Sequence, residues 1–198
     1  MLLDLPGRPD VSRRSFGEIG RERRRDPHDC ALDVLADEAE TLQRPMVILH
    51  TYTEESQKLA FTHPLCMPGS DATDLAPDGP LAGKVFHGAY TWAAWFWRAM
   101  VRDWRLLTPE AAVNRLTGLP ASILGLSDRG VIRVGAHADL AVFDAAKFGE
   151  RGTTFEPNQL AQGMRHVIVN GAMALTDGRP TGGRAGAVLR RQGPPVVF

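Results

Sequence analysis

The stretch from Pro64 to Gly83, PLCMPGSDATDLAPDGPLAG, holds the residue best placed for chemistry in this sequence. An apolar run, Leu65-Cys66-Met67, stops at Pro68 and Gly69, and the chain passes to Ser70 and Asp71 at the head of a loop rich in Pro, Gly and Asp. That pattern predicts a strand delivering a carboxylate to the mouth of a site. A carboxylate is a residue type that general acid/base chemistry uses. Its competitor is the turn role, because Asp in such loops commonly hydrogen-bonds its own backbone two residues on. The stretch alone leaves open what the carboxylate acts on.

Other candidates are sparser. His87, in GKVFHGAYTWAAW, follows the same loop and is a candidate substrate contact, weighed against a packing or hydrogen-bonding role. His50 closes an apolar run and would point toward the same mouth. The six histidines, His28, His50, His63, His87, His137 and His166, form no His-x-His and no His-Glu-x-x-His spacing. A catalytic zinc takes about three protein ligands plus a water, so these spacings by themselves predict no such site. Cys30 and Cys66 lie far apart, without a Cys-x-x-Cys or Cys/His cluster, which predicts neither a disulfide framework nor a structural zinc. Neither cysteine has an evident activating base. A reducing, cytoplasmic setting is the expectation.

The elements that must position these residues are legible in outline. Asp26-Pro27 reads as an N-cap and first helical position, and Cys30, Ala31, Val34 and Leu35 recur at helical spacing, which predicts a helix over about 27–40. The basic run before it, Arg21 to Arg25, interrupted by Glu22, reads as the solvated end of a helix. PMVILHTY and PLCMPG read as buried strands on either side of a helix, TEESQKLAFTH; that order predicts a βαβ unit with parallel strands. AYTWAAWFWRAMVRDW reads as a packed aromatic helix, and TPEAAVNRLTGLPASILGL as a helix capped by Thr108 with Pro109 at its first position. From Ser127 onward the chain turns to short strands and tight turns, with an Asn-Gly hairpin signal at Asn170-Gly171.

Composition narrows the functional classes. In 198 residues, 43% hydrophobic, 23 basic and 23 acidic side chains cancel, so nothing in the charge favours a nucleic acid or an anionic membrane. Tyr90, Trp92, Trp95, Phe96 and Trp97 could stack on bases, but no basic groove accompanies them and core packing is the expectation. The sequence shows no secretory leader pattern and no run of about eighteen apolar residues.

Several segments together resemble a known family. DRGVIRVGAHADLAVFD followed by HVIVNGAMALTDGRPTG is similar to the closing part of metal-dependent amidohydrolases. LTPEAAVNRLTGLPASILGLSDRG, FEPNQLAQGMRHVIVNG and PGSDA resemble the D-aminoacylase branch, the N-acyl-D-amino-acid deacylases. The resemblance implies an α/β fold: residues 1–126 as the C-terminal portion of an (α/β)8 barrel, and 127–198 as strands of a small β-sandwich. It implies zinc as cofactor, and hydrolysis of the amide of a small-molecule N-acyl-D-amino acid. Asp71 matches the Asp that ends the final barrel strand, where barrel enzymes carry catalytic groups. There it sits over the metal, as a possible ligand, and passes a proton from the attacking water to the leaving amine. The family's His-x-His strand and its further histidine ligands have no counterpart in this sequence. The resemblance therefore implies a C-terminal portion, incomplete alone, whose partner is a missing N-terminal barrel segment or subunit. The alternative is a noncatalytic remnant, or an interaction subunit completing a barrel supplied by another polypeptide.

Overall fold

The computed structural model describes residues 2–5, 7–41, 46–72, 80 and 88–190. The chain forms two compact units, Met1–Gln57 and Lys58–Phe198.

In the first unit β1 (Leu2–Asp4) is the central strand of a three-stranded antiparallel sheet, flanked by β2 (Arg14–Ser15) and β3 (Met46–Ile48). Helix α1 (Phe16–Arg23) starts on a capping box. The Ser15 hydroxyl accepts from the Glu18 amide at 3.1 Å, and the Glu18 carboxylate accepts from the Ser15 amide at 2.8 Å, satisfying two amides the helix start would leave orphaned. Helix α2 (Pro27–Asp37) begins as expected, with the Asp26 carboxylate accepting from the His28 amide at 2.8 Å and Pro27 at the first position. Leu5, Val11, Phe16, Ile19, Cys30 and Val34 make this unit's core.

The expected parallel βαβ unit is corrected. Helix α3 (Glu54–Thr62) forms where predicted, and β3 occupies part of PMVILHTY, but β3 pairs with β1 and antiparallel. PLCMPG makes a turn and an irregular extended segment outside any strand, with Leu65 70% exposed. A strand exists through its ladder partner, and no described strand pairs with this stretch, in which Pro64 and Pro68 also lack the amide donor.

The second unit holds α4 (Trp92–Trp97), which continues as a π-helical turn over Arg98–Asp103, then α5 (Pro109–Leu116) and α6 (Gly118–Leu124). Thr108 caps α5, accepting from the Ala111 amide at 3.2 Å. The single helix expected after Thr108 is broken at Thr117 (φ −134°, ψ −78°). Gly130 passes so close to that break that a Cβ on it would stand 2.8 Å from the Thr117 carbonyl. Strands β4 (Leu140–Phe143), β5 (Met164–Val169), β6 (Ala172–Thr176) and β7 (Arg179–Pro180) form an antiparallel meander in chain order. The hairpin between β5 and β6 turns on Asn170 (φ 47°) and Gly171 (φ 81°), the two left-handed residues a type I′ turn needs.

Ala94, Phe96, Trp97, Met100, Ala112 and Phe148 are the core of this unit, with Phe143 and Met164 of the sheet packed against it. Trp97 meets Phe143 edge to face at 4.9 Å, and Trp95 packs against the same cluster, so Trp95, Phe96 and Trp97 of the aromatic run are core packing. The compact division falls at Gln57/Lys58, within α3, whereas the change from helices to strands falls near residue 126 inside the second unit.

Arg115 is buried on α5 and donates to the last carbonyls of α3: to Phe61, to Thr62 at 2.9 Å and to His63 at 2.6 Å. A cation at a helix C-terminus satisfies orphan carbonyls and opposes their dipole. Arg115→Met keeps the aliphatic stem and strands all three carbonyls. It is expected to destabilise the second unit by about 2–3 kcal/mol, read as a lower midpoint of thermal unfolding. An unchanged midpoint would mean that water replaces the guanidinium at no cost.

Candidate functional site

Asp71 lies nine residues beyond the end of α3, on the irregular segment that replaces the expected strand. Its position is set by the turn around it. The Ser70 hydroxyl accepts from the Ala72 amide at 3.0 Å, a local bond that leaves Asp71 at the apex, exposed. Gly88 (φ 97°) comes close to the same turn, where a Cβ would stand 3.4 Å from the Ser70 hydroxyl oxygen. The segment's start is fixed by Arg115 through the end of α3, a positioning contact the sequence reading missed, since an arginine inside an amphipathic helix carries no mark of its distant carbonyl partners.

His87 lies outside the described residues. The described histidines have separate local settings. His28 sits 3.0 Å from the Asp26 carboxylate, and His137 is 3.4 Å from Asp128. His63 accepts from the Leu65 amide at 3.3 Å, while His50 is exposed past β3 in the first unit. His166, on β5, has a buried Nδ1 with no hydrogen-bond partner among the described residues. Among those residues no group of three or more His, Cys, Asp or Glu converges as a metal cluster would. Cys30 is core, and burial pushes the Cys66 thiol up against the opposing charge of Arg115, so Cys66 is no poised thiolate.

The ionic networks of the second unit are structural. The Arg98 guanidinium donates twice through Nε to the Glu150 carboxylate, at 2.9 and 3.1 Å, tying the π-helical turn to the loop after β4. Asp139 is opposed by burial, but the Asn170 amide at 2.7 Å and the Arg129 guanidinium outweigh it and hold the carboxyl below its ordinary range. No helix among the described residues is long and apolar enough to cross a membrane.

With fold and site in view, the chain belongs to the amidohydrolase family, whose sequence model matches residues 67–174, from just before Asp71 to within β6. Its similarity falls in the N-acyl-D-amino-acid deacylase branch. It is 40% identical over 142 residues to the N-acyl-D-glutamate deacylase of Alcaligenes xylosoxydans xylosoxydans, covering 70% of this chain and 27% of that protein. It is 35% identical over 184 residues to the N-acyl-D-aspartate deacylase of the same organism, covering 92% of this chain and 34% of that protein. Among solved structures, the N-acyl-D-glutamate deacylase from Bordetella bronchiseptica, complexed with zinc and a phosphonate mimic of the tetrahedral intermediate, superposes with a TM-score of 0.63 at 30% identity, over 90% of this chain and 36% of that one. The chain thus spans about a third of the length of these relatives.

Proposed function

We propose that this chain supplies the carboxy-terminal third of a zinc-dependent hydrolase that cleaves the amide of N-acyl-D-amino acids, with Asp71 as its general acid and base. The family match carries this reading, because its range spans Asp71 and the chain is similar to deacylases of N-acyl-D-glutamate and N-acyl-D-aspartate. An exposed carboxylate held at a turn apex can take a proton from the attacking water on one Oδ and return it to the nitrogen of the departing amine. His87, next to the described Gly88 turn, is the candidate for a substrate contact.

The described residues do not by themselves make a zinc site, which asks for about three protein ligands. A zinc such as the one the Bordetella relative is complexed with would take its further ligands here from polypeptide that completes the barrel, either an N-terminal segment or a separate subunit. A metal-free role as an interaction subunit is the second reading, favoured by the exposed apolar residues Ile132 and Val134.

Two measurements test the proposal. The chain purified alone and dialysed is expected to retain far less than one zinc; one tightly held zinc per chain would overturn the division of ligands. Combined with zinc and with the part of the Alcaligenes N-acyl-D-aspartate deacylase that it does not match, the chain is expected to release D-aspartate or D-glutamate from their N-acetyl derivatives and to leave the L-enantiomers intact. No release from either D-substrate would remove the deacylase reading.

A further inference from the structure

Asn170 and Gly171 make the only Asn-Gly pair in the sequence, and they stand at positive φ, 47° and 81°, between β5 and β6. Such a pair carries its own chemistry. Glycine puts no side chain in the way of its nitrogen, so the Gly171 amide nitrogen can attack Cγ of the asparagine before it. The nitrogen gives its proton to water, the new N–Cγ bond closes a five-membered succinimide, and the Cγ–Nδ2 bond breaks with loss of ammonia. Water then opens the ring at either carbonyl, leaving aspartate or isoaspartate at position 170. Water is the only co-reactant.

The fold engages each group that this reaction needs. Oδ1 of Asn170 accepts from Nη2 of Arg129 at 2.7 Å, and Nδ2 donates to the Ala185 carbonyl at 2.6 Å. A guanidinium only donates and a carbonyl only accepts, so these two partners fix the amide's orientation. The attacking nitrogen is held as well, because the Gly171 N–H donates to the Ala138 carbonyl at 3.0 Å. Arg129 is itself anchored: its side chain is 11% exposed and pairs with the Asp139 carboxylate, which accepts from the Asn170 main-chain amide at 2.7 Å.

We propose that Asn170 is a latent modification site: the folded chain holds back its deamidation through Arg129, and the modification, once made, frees the carboxy-terminal segment at Ala185. A reaction that proceeds only from an opened turn is slowed in proportion to how rarely the turn opens. A cation on Oδ1 also polarises the carbonyl under attack. That effect needs the nitrogen to reach Cγ, and its bond to Ala138 keeps it engaged elsewhere. The product does not restore the lost contact. A carboxylate has no proton for the Ala185 carbonyl, so two acceptor oxygens face each other where a hydrogen bond stood. Isoaspartate also adds a carbon to the main chain of a turn whose two-residue length sets the pairing of Val169 with Ala172.

The test follows the full chain over time by mass spectrometry of its peptides, scoring the mass gained when NH2 becomes OH at position 170. Isomerisation at the Asp177-Gly178 turn leaves mass unchanged and is not counted. Deamidation of the folded wild type is expected to run at least about tenfold slower than in urea at the same pH, the factor that one hydrogen bond to a charged group supplies. Arg129→Ala in native buffer should run about tenfold faster than wild type for the same reason. Gly171→Ala in urea should slow the reaction, which places the attack on that nitrogen. If Arg129→Ala loses the wild-type circular dichroism, Arg129→Lys takes its place with the same expectation, since it keeps the charge without the planar fork that reaches both Asn170 and Asp139. Equal rates in folded and unfolded chain, or an Arg129 variant no faster than wild type, overturns the guard. Release of the segment is read with trypsin. Asn170→Asp should be cut between Arg184 and Ala185 about tenfold faster than wild type, while cutting within residues 1–57 stays unchanged. Cutting at that bond at the wild-type rate overturns the release.

Discussion

Phe96→Ala is expected to cost the second unit about 3–5 kcal/mol, the largest stability loss of the substitutions considered for this chain. Phe96 is 1% exposed and meets Phe61 edge to face with ring centroids 5.7 Å apart. Truncation removes the transfer energy of the ring and leaves a cavity that Trp97, Met100 and Ala112 in the same cluster can collapse into only in part. All four tryptophans, Trp92, Trp95, Trp97 and Trp104, lie in the second unit, so their fluorescence during urea unfolding follows that unit alone. The midpoint should fall steeply at nearly constant slope. Leu59→Ala, at a side chain 76% exposed, should move it by no more than about 0.5 kcal/mol. If the two variants unfold together, the aromatic cluster is not the core of the unit.

Helix starts and tight turns were legible because their causes are local. Asp26-Pro27 and Thr108-Pro109 each place an acceptor and a proline where a helix begins, and Asn170-Gly171 supplies the positive φ angles of its hairpin. The same logic was available at Ser15 and Glu18, whose capping box starts α1 just ahead of the basic run Arg21 to Arg25. Pairing was not legible. Nothing local in PMVILHTY says that its strand will join β1, and an apolar three-residue run between two prolines is the same string whether or not a partner strand lies beside it. The site divides in the same way. Asp71 is marked by its residue type and by the Ser70 turn, both local, whereas the contact of Arg115 with the end of α3 joins residues more than fifty positions apart.

If the chain acts within a deacylase as proposed, Asp71→Asn is expected to lower the rate of deacylation by about a hundredfold or more, the scale of lost general acid/base catalysis. Folding should be nearly unaffected. Residue 71 is exposed, the turn is closed by the Ser70 hydroxyl rather than by its own side chain, and Asn supports turns of the same kind. Asn keeps the shape of the carboxylate but cannot accept the water's proton and hand it to the leaving nitrogen. The measurement is D-amino acid release from N-acetyl-D-glutamate or N-acetyl-D-aspartate by wild type and variant, each assembled with the complementary polypeptide, with zinc content determined in parallel. A large loss of rate at equal zinc content assigns Asp71 to proton transfer. A loss of zinc along with rate makes it a metal ligand, because an amide oxygen is a poorer partner for the cation than a carboxylate. Equal rates at equal zinc would leave Asp71 as a turn residue, and the chain would then contribute structure to the deacylase rather than its acid and base.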